Sequence, residues 1–145
     1  MVENFELPEN YLRSISSKMY LIEKSIIEME DLLLRKLKGS CFEIVDDVDE
    51  HEIEFVLQKI SILKTLLEKL AIKYNLKKNV SYTSRILQAK NSKIWEILGD
   101  SYSKQLKGFG KLSGELTEAF DSDLSSMMHI IEELLSYHKK PGKTN

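Results

Sequence analysis

The feature that most constrains the fold is an apolar seam in the second quarter of the chain. Its members follow one another at alternating intervals of three and four residues: Ile53, Val56, Ile60, Leu63, Leu67, Leu70 and Tyr74. This spacing keeps side chains on one face of an α-helix. Asp49 precedes Glu52 by three residues, which predicts a capping box where the helix begins. We therefore predict helix two over residues 49–77.

The first segment carries a seam of the same kind, with near-heptad spacing typical of a coiled coil. Its apolar positions are Leu12, Ile15, Met19, Ile22, Ile26, Met29, Leu33 and Leu37. Pro8 suits the first turn of a helix, and Gly39 is the residue type that commonly ends one. We predict helix one over residues 9–38.

The second half of the chain has a weaker pattern. A broad apolar stripe predicts helix three, with Ser81 as its N-cap: Tyr82, Ile86, Leu87, Ile94, Leu98, Tyr102 and Leu106. Its middle is polar and Gly99 disfavours a helix interior, so we expect a kink or break near Asn91–Ser92 or Gly99–Asp100. The glycine-rich segment 107–114 is predicted to be a flexible joint before helix four, over residues 112–138.

Four helices of similar length joined by short connectors favour an all-α fold, an antiparallel up-down-up-down four-helix bundle. A chain of 145 residues with 42% apolar residues can form one core, so we expect a single domain over 1–138 and a flexible basic tail over 139–145. The rival arrangement is a hairpin of helices one and two that dimerises. Seams within one chain and between chains have the same spacing.

Composition favours a cytoplasmic protein with no membrane association. Cys41 is the only cysteine, and a lone thiol without an internal disulfide is typical of a reducing compartment. The N-terminal residues MVENFELPEN include three glutamates and no basic leader, so we expect no signal peptide. No apolar run approaches the roughly 20 residues that span a bilayer.

No residue pattern predicts catalysis, a cofactor or a metal site. His51, His129 and His138 lack the Glu-x-x-His spacing of di-iron bundles, and the acidic run 46–54 does not fit a calcium-binding loop. Acidic neighbours of Cys41 would disfavour its thiolate. We expect a protein that is not an enzyme, and a small-molecule or metal-dependent bundle enzyme is the third hypothesis.

The net charge of −2 conceals a basic middle third, since residues 69–111 hold ten basic and two acidic residues. Aromatic residues among these bases could stack on unpaired nucleobases. The other interpretation, which we favour, is a solvated surface neutralised by ordinary ion pairs with acidic neighbours. The candidate anion or nucleic-acid contacts are Lys73, Lys77, Lys78, Arg85, Lys90 and Lys93.

The quality of the first two seams favours a non-enzymatic protein–protein interaction module, such as an adaptor, a chaperone-like factor or an assembly subunit. It would recognise a protein partner by packing helices, or associate with itself as a homo-oligomer. The alternative hypothesis is a nucleic-acid-binding protein that uses the basic segment 69–93.

Overall fold

The structure is a computed structural model that describes residues 5–138. Over that range the regular secondary structure is helical, and the only bridge between extended residues joins Lys38 to Glu43. The all-α prediction is therefore confirmed. The chain divides into two compact units, residues 1–80 and 81–145. The single domain over 1–138 stays a prediction, and the tail predicted over 139–145 lies outside the described residues.

The first unit is an antiparallel hairpin of α1 (Glu9–Leu34) and α2 (Glu50–Lys73). Ile26 and Ile60 are buried where the two helices pack. Along one edge of this contact, Lys64 Nζ donates a 2.7 Å hydrogen bond to Glu30 Oε1. At the open end, the backbone N–H of Phe5 donates to the Lys73 carbonyl at 3.0 Å.

The predicted end of helix one at Gly39 is wrong, because α1 ends at Leu34 and Arg35 adopts extended backbone angles. Gly39 instead closes a tight turn, in which its N–H donates to the Phe42 carbonyl at 3.1 Å. A Cβ at position 39 would lie 2.8 Å from the Phe42 ring. This glycine is therefore needed for a close ring contact and not for a helix cap.

The predicted start of helix two is confirmed, because Asp49 Oδ1 accepts a 2.8 Å hydrogen bond from the Glu52 N–H. The helix ends at Lys73, short of the predicted residue 77. Asn75 takes a left-handed conformation with φ of 50°. Leu76 N–H then donates to the Ala71 carbonyl, and Asn75 N–H donates to the Ile72 carbonyl. This pair of bonds is a Schellman motif, with asparagine in the position that glycine usually fills.

The second unit contains α3 (Thr83–Ser101), a 3₁₀ helix (Ser103–Phe109) and α4 (Gly114–His138). Leu98 and Leu124 are the buried apolar residues where α3 and α4 pack. The predicted N-cap Ser81 is wrong by one position, since Tyr82 flanks α3. α3 is continuous through Asn91–Ser92 and ends just after Gly99–Asp100, so the second of the two predicted break points is confirmed.

The segment predicted to be a flexible joint is partly helical. The 3₁₀ helix extends to Phe109, and Gly110 follows with φ of 151°, a conformation that favours glycine. α4 begins at Gly114, two residues later than predicted. Ser113 caps it, because its Oγ accepts a 3.2 Å hydrogen bond from the Leu116 N–H.

Asp121 of α4 holds the beginning of the 3₁₀ helix. Its two carboxylate oxygens accept from the Ser103 N–H at 2.9 Å and from Ser103 Oγ at 2.6 Å. Hydrogen bonds to the charged form favour that form, so the Ser103 hydroxyl and backbone N–H lower the pKa of Asp121. Nearby, Tyr102 Oη and Ser125 Oγ lie within hydrogen-bonding distance at 3.2 Å.

Candidate functional site

The first unit carries an apolar surface on one side of its hairpin. An α-helix turns by about 100° per residue, so Ile22 and Met29 lie to the same side of the buried Ile26. Leu63 and Leu66 of α2 lie to that same side of the hairpin, because α2 runs antiparallel to α1. We call this surface the first apolar face. Its side chains are between 43% and 59% exposed: Ile22, Met29, Leu32, Phe55, Ile62, Leu63 and Leu66.

The opposite side of the same hairpin is more polar. The Glu30–Lys64 ion pair lies there, as does a groove lined by polar residues such as Glu23 and Glu68 and by apolar ones such as Ile72. The backbone N–H of Lys77 donates to Ser16 Oγ at 3.1 Å in this groove. The hairpin is therefore amphipathic as a unit. Apart from the inner seam that packs α1 against α2, one outer side is apolar and the other is more polar.

The second unit repeats this division. One side carries the Tyr102–Ser125 and Ser103–Asp121 contacts. The other side is an apolar surface formed by α3 and α4, which we call the second apolar face. Its side chains are between 41% and 55% exposed: Ile86, Leu87, Ile94, Ile97, Met127, Ile130 and Leu134.

Each face has more large apolar side chains than the buried core of its unit. In the described part of the chain, the buried apolar residues are Ile26, Ile60, Leu98 and Leu124. Burying one large apolar side chain contributes about 1.5–3 kcal/mol, and soluble monomers rarely leave contiguous apolar patches above a few hundred Å². Exposed apolar side chains grouped on one side of a helix pair are typical of surfaces that pack against another protein or another part of the same chain.

The predicted basic residues fall into two groups, one in each unit. In the first unit, Lys73 ends α2, and Lys77 and Lys78 follow it. Lys73 Nζ lies 5.1 Å from the centre of the Phe5 ring and 5.5 Å from that of Tyr74, within range of a cation–π interaction.

In the second unit, Arg85, Lys90 and Lys93 lie on α3. At about 100° per residue, Lys90 lies within about 40° of Ile86, Ile94 and Ile97, on the side of the second apolar face. Arg85 Cζ lies 6.0 Å from the centre of the Tyr82 ring. Within residues 5–138, none of the six predicted basic residues forms an ion pair. The ion pairs expected of a neutralised surface are thus absent from the described residues.

The aromatic residues of the basic segment differ in environment. Tyr74 is half-buried and packs against Phe5, with ring centres 6.1 Å apart. Tyr74 therefore belongs to the end of the hairpin, in agreement with its place in the seam. Tyr82 and Trp95 are exposed and could contact a ligand.

Side chains that bind metals or act as nucleophiles are scattered. No group of three or more His, Cys, Asp or Glu residues that could hold a metal ion occurs in the described part of the chain. His129 Nε2 lies 2.9 Å from Glu133 Oε1 one turn along α4, and Cys41 is an exposed free thiol. His138 ends α4. In the acidic run 46–54, Asp49 caps α2 and Asp46 lies 3.8 Å from Lys36.

Comparisons with known proteins give no match: no protein-family model, no curated protein and no solved structure resembles this chain at a significant level. Among residues 5–138, no helix combines the length and apolar character that crossing a membrane requires. The candidate surfaces are therefore identified from the sequence and geometry of this chain alone.

Sequence reasoning missed two features of the second unit. It did not find the Ser103–Asp121 anchor, whose partners are 18 positions apart. It also read residues 107–114 as a hinge, although Phe109 there is 90% exposed beside an apolar groove. The sequence signal for this exposed ring is Phe109 flanked on each side by a glycine and then a lysine.

Proposed function

We propose that this protein is a non-enzymatic helical interaction module that binds a protein partner, or a second copy, by packing helices onto its apolar faces. The observation that carries the proposal is the amphipathic character of each hairpin as a unit. In α2, Leu63 and Leu66 are exposed on the apolar side, while Lys64 pairs with Glu30 on the polar side. A surface that had only to face water would not need this division.

The antiparallel up-down-up-down four-helix bundle is the arrangement that we propose for this packing. Each hairpin supplies two helices of 19 to 26 residues and one apolar side, which are the parts that such a bundle needs. The four helices could come from one chain or from hairpins of different chains, since both cases bury the same kind of surface.

The test compares association with exposure of apolar surface. Sedimentation equilibrium over a range of concentrations gives the mass, and a dye that binds apolar surface reports whether the faces are open. The variant Leu63→Glu/Leu66→Glu places two charges on the first apolar face. The matched control, Ser61→Glu/Thr65→Glu, places two charges elsewhere on α2, where both side chains are exposed.

Two results would support the proposal. One is self-association that the Leu63/Leu66 variant loses and the Ser61/Thr65 variant keeps. The other is a monomer that binds the dye and whose dye signal falls in the Leu63/Leu66 variant but not in the Ser61/Thr65 variant. A strict monomer that does not bind the dye would show that one chain closes its own bundle, and it would rule out an interaction through these faces.

Nucleic-acid binding is the second candidate, and one observation favours it. The six basic residues have no ion pairs among the described residues, while Tyr82 and Trp95 are exposed near them in the sequence. Basic side chains next to exposed aromatic rings can bind single-stranded nucleic acid through phosphates and stacking.

Fluorescence anisotropy with labelled single-stranded and duplex RNA and DNA tests this candidate. Binding should weaken with salt, with a logarithmic slope of about −0.7 to −0.9 per phosphate neutralised. It should be lost in Lys77→Glu/Lys78→Glu/Arg85→Glu and kept in Lys18→Glu/Lys24→Glu/Lys59→Glu, a control of equal charge change outside the segment. No binding even at low salt would exclude the candidate.

A further inference from the structure

The second unit contains a groove whose lining is mostly apolar and includes three lysines. It lies between the 3₁₀ helix and the start of α4, and its lining shares no residue with either apolar face. Phe109 is 90% exposed there, which leaves a large ring facing solvent. The groove is lined by Leu106, Phe109, Leu112, Leu116 and Phe120, together with Lys104, Lys107 and Lys111.

The charge of this groove is uncompensated in the described structure. Lys104, Lys107 and Lys111 form no ion pair with any residue in the range 5–138, and residues 101–114 include no acid. Asp121 is nearby, but both of its oxygens accept hydrogen bonds from Ser103. The ligand that fits such a groove is acidic and apolar at once.

The second part of the connector between α1 and α2 has this chemistry. Residues 42–49 include four acids and no base, whereas the bases of the connector, Arg35, Lys36 and Lys38, precede them. Phe42, Ile44 and Val45 are exposed among them. Asp46 has only a 3.8 Å contact with the exposed Lys36, so little holds its carboxylate in place.

We propose that the groove of one copy binds the acidic part of the connector (residues 42–49) of a second copy. Lys104, Lys107 and Lys111 face the acidic side chains of the connector, and the groove receives its apolar ones. Every copy has one groove and one connector, so each copy can take either role in the contact. The contact uses surfaces other than the two apolar faces, so it does not depend on the function proposed above.

Exchange of charges between two variants tests the contact. The groove variant is Lys104→Glu/Lys107→Glu/Lys111→Glu, and the connector variant is Glu43→Lys/Asp46→Lys/Asp47→Lys. In each variant alone, groove and connector have the same sign of charge, and the dimer dissociation constant should rise at least about tenfold. Mixed one to one, the two variants should form a heterodimer, because each supplies the opposite charge to the other.

Sedimentation velocity with one variant fluorescently labelled measures this heterodimer directly, and circular dichroism checks that each variant keeps its helices. The control Lys90→Glu/Lys93→Glu reverses two lysines on α3 and should leave the dimer unchanged. Where a reversed variant loses helicity, Lys104→Gln/Lys107→Gln/Lys111→Gln replaces it and should still weaken the dimer. Higher salt should also weaken the wild-type dimer.

Three results would overturn the proposal. The first is a wild-type chain that stays monomeric at low salt and high concentration. The second is a mixture of the two variants that forms no heterodimer. The third concerns the first apolar face. Association lost in Leu63→Glu/Leu66→Glu but kept in the groove variant would assign self-association to the first apolar face. That outcome would support the proposed function and remove the groove contact.

Discussion

At the scale of single residues, Asp121 joins α4 to the 3₁₀ helix through two hydrogen bonds from Ser103. Its lowered pKa means that the folded state prefers the carboxylate. The stabilisation is fully present above the ordinary pKa of an aspartate, about 3.9, and is lost as the pH falls through the lower pKa of the folded state. We expect Asp121→Asn to remove this part of the acid dependence of stability.

Thermal unfolding followed by circular dichroism between pH 7 and pH 2 measures the effect. The difference in melting temperature between wild type and Asp121→Asn should be largest at neutral pH and should shrink below about pH 4. Asp123→Asn, two positions away on the same helix, is the control. Parallel curves for the wild type and Asp121→Asn would show that the contact does not contribute to the acid dependence of stability.

Asn75 is the second residue whose identity follows from its backbone. A left-handed conformation costs an ordinary L-residue roughly 1–2 kcal/mol, and asparagine tolerates it better. We expect Asn75→Ala to lower the free energy of unfolding by about 1 kcal/mol. Asn75→Gly should leave it within a few tenths of a kcal/mol, because glycine takes this conformation freely. Equal losses for both variants in urea titrations would contradict this account.

At the scale of helices, the cap of α2 gives a direct prediction. Asp49 accepts a hydrogen bond from the Glu52 N–H, and removing such a cap costs about 1 kcal/mol. We expect this loss in the unfolding free energy of Asp49→Ala, measured by urea titration. Asp47→Ala removes a neighbouring carboxylate that makes no cap and should cost much less. A similar loss in both variants would mean that net charge, and not the cap, stabilises the helix start.

Two isoleucines of α2 allow the hairpin core to be compared with the first apolar face, because one lies in each. Ile60 is 1% exposed and Ile62 is 45% exposed. Truncating a buried isoleucine costs about 2–5 kcal/mol, whereas Ile62→Ala should cost under about 1 kcal/mol. Urea unfolding of Ile60→Ala and Ile62→Ala, which make the same chemical change, measures the difference. Comparable losses would show that the first apolar face is covered in solution.

The helices could be predicted because their signals are local. The unbroken seam of α2 and the Asp49–Glu52 pair are readable within a few turns, and both correspond to observed features. The predicted end of α1 lies too late in the chain because it depends on Gly39 as the helix stop. This glycine instead belongs to the turn in which it contacts the Phe42 ring. The hydrogen bonds between Asp121 and Ser103 join residues 18 positions apart, so no local sequence pattern predicts them.

At the scale of the whole molecule, the apolar seams predict how many helices form. They do not predict which helices or partners cover the apolar sides. Leu63 belongs to the predicted α2 seam, yet it is exposed beside the hairpin contact. Some apolar stripes are too wide for one neighbouring helix to cover. Their three-and-four spacing is the same whether the second covering helix comes from the same chain or from another. For that reason, the four-helix bundle and the protein partner remain proposals, tested by mass and by the Leu63/Leu66 variant.

Each apolar face also carries a methionine, Met29 on the first and Met127 on the second, and both are exposed. Oxidation to the sulfoxide makes a flexible apolar side chain polar, so mild peroxide would oppose helix packing on either face. In the isolated protein, mass spectrometry should find Met29 oxidised faster than the half-buried Met19, and Met127 faster than its half-buried neighbour Met128. Slow oxidation of both exposed methionines would mean that something already covers them. These two sulfur atoms thus make the faces sensitive to oxidants, and methionine sulfoxide reductases could reverse the change.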